Sequence, residues 1–281
     1  MPMLKESLKR QIVDQILPRV QGPAQYMGGE LNSVVKDHSS VRGKLCLAFP
    51  DTYGLGMSHH GLEVLYTLMN NRDDWVCERT FTPWVDFERE LRDADLPLYG
   101  WETFTPLCDF DVLGITLQYE VGAINVLTML DLGRVGLRSV DRGLDVPLVI
   151  AGGPCAQNPE PLAEFIDIFV TGDGEPSLPL ICDLWLELKA KYDEPGLSPE
   201  ESRRRREDAI AELAVKLPFA YAPRFYEPEY VDGKYTALNR LRADIPETIE
   251  PSVIADLDGM PLPTHPIVPW TQTVHDRIAI E

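Results

Sequence analysis

Two short stretches hold the residues through which this chain could do chemistry. Between Pro147 and Glu175, the apolar runs Leu148–Ala151 and Ile166–Val170 each end at once in a glycine-bearing turn, Gly152-Gly153-Pro154 and Gly172-Asp173-Gly174-Glu175. Glycines there let backbone approach a flat or phosphorylated ligand, and serve equally well as tight turns with positive φ. Asp173 and Glu175 have the types of an acid and a base, yet carboxylates at a helix start also interact well with its dipole. The second stretch, Asp51 to Gly61, reads DTYGLGMSHHG. His59 or His60 can ligate a metal or polarise a substrate, or can cap the helix that follows. Adjacent side chains diverge, so at most one of the two rings faces a common crevice.

Several chemistries lack their residue sets. G-x-G-x-x-G is absent, because Gly61 follows Gly54-Leu55-Gly56 by five residues rather than three, and no lysine completes a Walker loop. The five cysteines, Cys46, Cys77, Cys108, Cys155 and Cys182, show no C-x-x-C spacing and make no metal or cluster motif. No Ser-His-Asp or Cys-His set with a nucleophile elbow appears. The residues alone do not name a reaction.

The elements that must position these loops are legible from periodicity. Leu45–Phe49, Val76–Phe81, Asp111–Leu117, Leu148–Ala151 and Ile166–Val170 are short and apolar, as parallel strands covered on both faces are. Helical stripes alternate with them: Leu62, Leu65, Leu68 and Met69; the charged Val85–Arg92; the apolar Ala123–Leu132. The pattern predicts an α/β fold, a flavodoxin-like doubly wound parallel sheet of five strands in the order 2-1-3-4-5. Ligands of open α/β sheets bind outside the carboxyl ends of the strands at the switch point. That crevice is expected to be lined by the Asp51–Gly61 loop and by Gln118-Tyr119-Glu120, with Gly152 and Gly153 alongside.

Three parts are expected. Residues 1–40 give an amphipathic helix (Leu4, Leu8, Ile12, Ile16) and a connector; residues 41–195 give the sheet domain; residues 196–281 give an appendage. Ser177 is expected to cap one helix, and Ser198-Pro199-Glu200-Glu201 reads as a capping box opening another. Within that second helix Arg203–Arg206 reads as a solvated face making i to i+4 ion pairs. Asp232-Gly233 between alternating runs predicts a β-hairpin over Phe225–Leu241. The proline-rich remainder is expected as an extended linker over the domain or leading out of it.

Composition narrows the partners. A net charge of -19 disfavours direct nucleic-acid binding. No apolar run approaches 18 residues and no signal-like segment opens the chain, so a soluble, cytoplasmic protein without membrane contact is expected.

FPDTYGLGMSHHGLEVLY, ERTFTPWVDFE, FDVLGITLQYE, VIAGGPCAQNPEPLAEFID and VTGDGEPSL, in this order, resemble the N-terminal region of radical S-adenosylmethionine proteins with a cobalamin-binding domain. The likeness is greatest to an uncharacterised subgroup reading P-D-x-Y-x-x-G-M-S and spans about residues 40 to 190. It implies a cobalamin-binding-like domain whose cofactor contacts fall on Asp51, Tyr53, Gly56, Ser58, His59, Gln118, Tyr119, Gly152, Gly153, Gly172, Gly174 and Glu175. It also implies that HDRIAIE, at residues 275–281, begins a radical barrel, and that the 4Fe-4S cluster and S-adenosylmethionine belong to that barrel, beyond Glu281. On this reading the chain is a ligand-binding part that is not catalytic alone. The D-x-H-x-x-G motif that supplies cobalt with a histidine is absent, since Thr52-Tyr53 follow Asp51. Two other readings stay open: a flavodoxin-like interaction domain without cofactor that orients a partner domain or substrate, and a flavin site at the same edge.

Overall fold

The computed structural model describes residues 2–260 and 262–272, with the backbone alone for residues 2–6. The HDRIAIE segment lies outside the described residues. The chain opens with helix α1 (Pro2–Gln11), which passes into a wider turn that buries Ile12 and Ile16. A connector follows, and then an alternating series: β1 (Gly43–Phe49), α2 (Tyr53–Gly56), α3 (His60–Asn70), β2 (Trp75–Phe81) and α4 (Val85–Asp93). β3 (Val112–Thr116), α5 (Ala123–Leu132), β4 (Leu148–Gly152), β5 (Ile168–Val170) and α6 (Gly174–Tyr192) continue it. Helix α7 (Pro199–Lys216), β6 (Ala220–Tyr221) and a hairpin of β7 (Tyr226–Val231) and β8 (Lys234–Arg240) complete the elements.

One sheet runs β2-β1-β3-β4-β5-β6, and the hairpin forms a second, two-stranded one. β1 to β5 pair in parallel, whereas β6 pairs with β5 antiparallel. The expected five-stranded, all-parallel sheet is therefore corrected to six mostly parallel strands. The reason lies in α6 and α7, which pack on each other as a helical pair. Two successive helices return the chain to the sheet running the opposite way, and Phe219-Ala220-Tyr221 is too short to be read as a strand from sequence.

Register sets the floor of the site. Leu47, Gly114, Ile150 and Ile168 are successive partners across four strands. Side chains at matched positions share a face, so Gly114 leaves a depression between Leu47 and Ile150. Helices α3 and α6 pack against each other and against β1 on that face. The β1–β2 and β3–β4 crossovers run in opposite directions, so same-handed connections put α5 on the other face.

Two sequence expectations about helices change. Helix α6 begins at Gly174 after Asp173, which makes no side-chain cap; Ser177 instead lies in the first turn and donates to the Asp173 carbonyl at 2.7 Å. Arg206 is fully buried rather than solvated, because α7 lies flat on the domain and turns that residue inward. The Ser198 capping box is present, with Glu201 accepting from the Ser198 N–H at 3.0 Å.

Candidate functional site

A cavity of about 540 Å³ opens where the β1, β3, β4 and β5 carboxyl ends meet α3 and α6. Leu47, Ile115, Ile150 and Val170 give its apolar floor; Leu65 of α3 and Leu178 of α6 give its walls. The β4 turn enters as Gly152-Gly153-Pro154, and the β5 turn as Gly172 to Glu175. Two of these glycines are required by the backbone. Gly153 has φ +101° with a Cβ position 2.7 Å from the Leu117 carbonyl oxygen, and Gly172 has φ +86° with one 2.1 Å from the Ser252 oxygen. Gly152 differs, because a Cβ added there meets nothing within 4 Å. Its missing side chain is open cavity space.

The polar groups divide into two sets. His59 Nδ1 accepts from Leu62 N at 3.0 Å, so this histidine caps α3. Ser177 bonds the α6 backbone, and Asp173 Oδ2 accepts from Ile254 N at 2.7 Å. By contrast, Thr116, Gln118, Gln157 and Glu175 line the cavity with no side-chain hydrogen bond or ion pair among the described residues. Among the described residues no lysine or arginine lines it. Among the described residues no three His, Cys, Asp or Glu side chains converge as metal ligands.

The expected crevice between β1 and β3 is part of this cavity, where Leu47, His59, Gly114, Thr116 and Gln118 line it. At its outer edge Tyr119 donates to Asp51 Oδ2 at 2.5 Å, and burial together with that bond holds its phenol up to about 12. Asn125 donates to the Pro50 carbonyl, and Thr82 N to the Asp51 carbonyl. The cavity continues along the sheet toward β4 and β5. Of the sequence-predicted residues, His59, Gln118, Gly152, Gly153, Gly172, Gly174 and Glu175 come together around it. Asp51 and Tyr119 sit outside, on the rim they pin; Gly56 packs on Phe81, where a Cβ would lie 2.3 Å from the ring. Ser58 donates to the Gly54 carbonyl. Tyr53 is buried, donating to Glu30 Oε1 and accepting from Trp270 N, each at 3.0 Å.

Tyr53 belongs to a buried charge network on β2 that sequence reading passed over. Arg79 donates from Nε to Glu102 Oε1 at 2.7 Å and from Nη2 to Glu30 Oε2 at 3.2 Å, beneath the Tyr66 ring. Burial pushes the Glu102 carboxyl up to about 7 against the opposing pull of the Arg79 charge. The neighbouring Glu78 points to the other face, accepting from Thr103 Oγ1 at 2.5 Å and paired with His38 Nε2 at 2.6 Å. The signal was present: Glu78-Arg79 interrupts an otherwise buried strand, and charges survive there only when paired. The C-terminal segment crosses from the β5 turn, where Ser252 bridges Gly172, to Glu63, Tyr53 and Gly28, where Ile267 N, Trp270 N and Trp270 Nε1 are held. The expected linker is thus laid over the domain.

An α/β domain with a glycine-lined cavity at its strand ends now meets its relatives. Residues 61–223, more than half of the chain, match the family described as radical SAM proteins, N-terminal. The chain belongs to that family. It is also similar to an uncharacterized protein of Methanocaldococcus jannaschii, 27% identical over 148 residues. That match covers 52% of this chain and 30% of the relative, so the chain corresponds to under a third of that protein's length. No solved structure matches the chain. No helix among the described residues is long and apolar enough to cross a membrane.

Proposed function

We propose that this chain is the ligand-holding part of a radical SAM protein, and that its cavity takes a flat cofactor, cobalamin being the reading tested first. The single observation carrying this is the convergence of Thr116, Gln118, Gln157 and Glu175, all without partners among the described residues, on a cavity beside the open Gly152. Its volume falls in the ~300–1,000 Å³ range of small-molecule sites, and its apolar floor with a few polar groups suits one face of a planar ring. Cobalamin, when bound, supplies a carrier for a methyl group. This chain's residues would hold and orient it: Leu47 and Ile150 support a ring, while Gln118 and Gln157 meet amide or hydroxyl groups. His59 spends Nδ1 on its helix cap, so that nitrogen is not offered to cobalt. Cluster and S-adenosylmethionine chemistry belongs, on this reading, to a barrel domain working with this one.

The test is direct. The protein is mixed with hydroxocobalamin, gel-filtered, and its visible spectrum recorded, beside Gly152→Leu, which fills the cavity at a position with room for a side chain. A corrin band carried by the wild type and lost in the variant supports the reading; no band on the wild type refutes the cobalamin assignment. A second reading, an interaction domain, is favoured by apolar side chains after β2 and β3, where Trp84, Val121 and Ile124 are exposed at 52%, 86% and 73%. Flavin mononucleotide, the third reading, would bring a terminal phosphate that among the described lining residues meets no lysine or arginine; a yellow protein as purified would favour it.

A further inference from the structure

We infer that the cavity selects by charge the part of a ligand that it receives, admitting flat groups that are neutral or cationic and rejecting a phosphate or other anion brought against its wall, with Glu175 as the residue that reads the charge. This rests on the reading of the cavity as a ligand site. A strand-turn-helix site in an α/β sheet ordinarily favours anions, because the helix N-terminus presents unpaired N–H groups and a partial positive charge. Here Gly174 opens the 19-residue helix α6 in that position. Two carboxylates stand at the same place, however, and they reverse the sign. Asp173 precedes the helix, with Oδ2 taken by the Ile254 N–H. Glu175 lies in the first turn, lines the cavity, and has no ion pair or hydrogen bond among the described residues.

Among the described residues no cationic side chain on the other walls restores attraction for an anion. The two side-chain amides, Gln118 and Gln157, come from the turns after β3 and β4. They carry no net charge and can donate or accept. The one imidazole among the described lining residues, His59, has its Nδ1 engaged as an acceptor in the α3 cap. A ligand group brought against Glu175 leaves water on one side only, so a matching positive or donating group gains and a phosphate loses.

The test uses two flat dyes of similar size and opposite charge, the cation thioflavin T and the anion 8-anilinonaphthalene-1-sulfonate, titrated by fluorescence into the 281-residue protein at low salt. Gly152→Leu defines the cavity component of each signal. Thioflavin T is expected to show a cavity component, and Glu175→Gln to weaken it roughly five- to tenfold, the size of a partly screened charge pair. Glu175→Lys is expected to abolish it and to create one for the anionic dye, while circular dichroism stays unchanged. A cavity component for the anionic dye in the wild type, a thioflavin T affinity within twofold in Glu175→Gln, or no Gly152-dependent signal from either dye would overturn the inference. Failure to retain hydroxocobalamin alongside the expected dye pattern would sink the cofactor assignment and support the charge rule, so the two are separable.

Discussion

Replacing Asp167 by asparagine tests how the site is held. Asp167 is fully buried just before β5, the strand whose far end carries the Gly172–Glu175 turn. Oδ2 accepts from Arg142 Nη1 at 3.0 Å, Arg206 Nη2 at 2.8 Å and Val149 N at 2.9 Å, and Oδ1 from Arg224 Nη2 at 3.0 Å. Burial by itself would raise this carboxyl, but the three guanidiniums, Arg206 foremost, win and lower it from 3.8 to about 2. At about 1.4 kcal/mol for each tenfold step, that corresponds to roughly 2–3 kcal/mol of stability. The folded pKa is depressed, so this contribution is fully present above about 4 and is lost as pH falls through about 2. Asp167→Asn does more than remove it, because three buried cations lose their one counter-charge. Breaking a buried ion pair on one side costs about 3–5 kcal/mol, a large share of the ~5–15 kcal/mol of a typical domain. Urea unfolding followed by tryptophan fluorescence at pH 7 should show that loss. The variant should also lack the wild type's acid-dependent decline. A loss under about 1 kcal/mol, within the range of ordinary surface substitutions and their scatter, would refute the account.

Glu102 gives the opposite pH signature. Its folded pKa is raised to about 7, so the wild type should lose stability relative to Glu102→Gln as pH rises from 4.5 to about 7, measured by paired urea midpoints. Ser198→Ala should cost about 1 kcal/mol, by removing the hydroxyl that caps α7. Tyr53→Phe should release Trp270 N from its acceptor and leave Glu30 Oε1 without its tyrosine donor, costing about 1–2 kcal/mol. Chymotrypsin should then cut faster after the exposed Leu257 and Trp270; an unchanged cleavage rate would show that Tyr53 does not hold the segment.

What the sequence settled by itself is what depends on local pattern. Short apolar runs, helical stripes, the Ser198 capping box and the Asp232-Gly233 hairpin each need only neighbours along the chain, and the chain's own periodicity displays them. The glycine turns after β4 and β5 were legible for the same reason, and they do line the cavity. Tertiary packing decided the rest. The pinning of the rim beside the cavity depended on Tyr119 reaching Asp51 across 68 residues. The direction of β6 depended on how α6 and α7 stack, and the fate of Arg206 on which face of α7 met Asp167. Burial turned Glu78-Arg79 from a charged dipeptide into paired groups on opposite faces of β2. Such outcomes are set by desolvation and by partners far away in sequence, where a charge is either matched in three dimensions or excluded, and no one-dimensional spacing encodes the match.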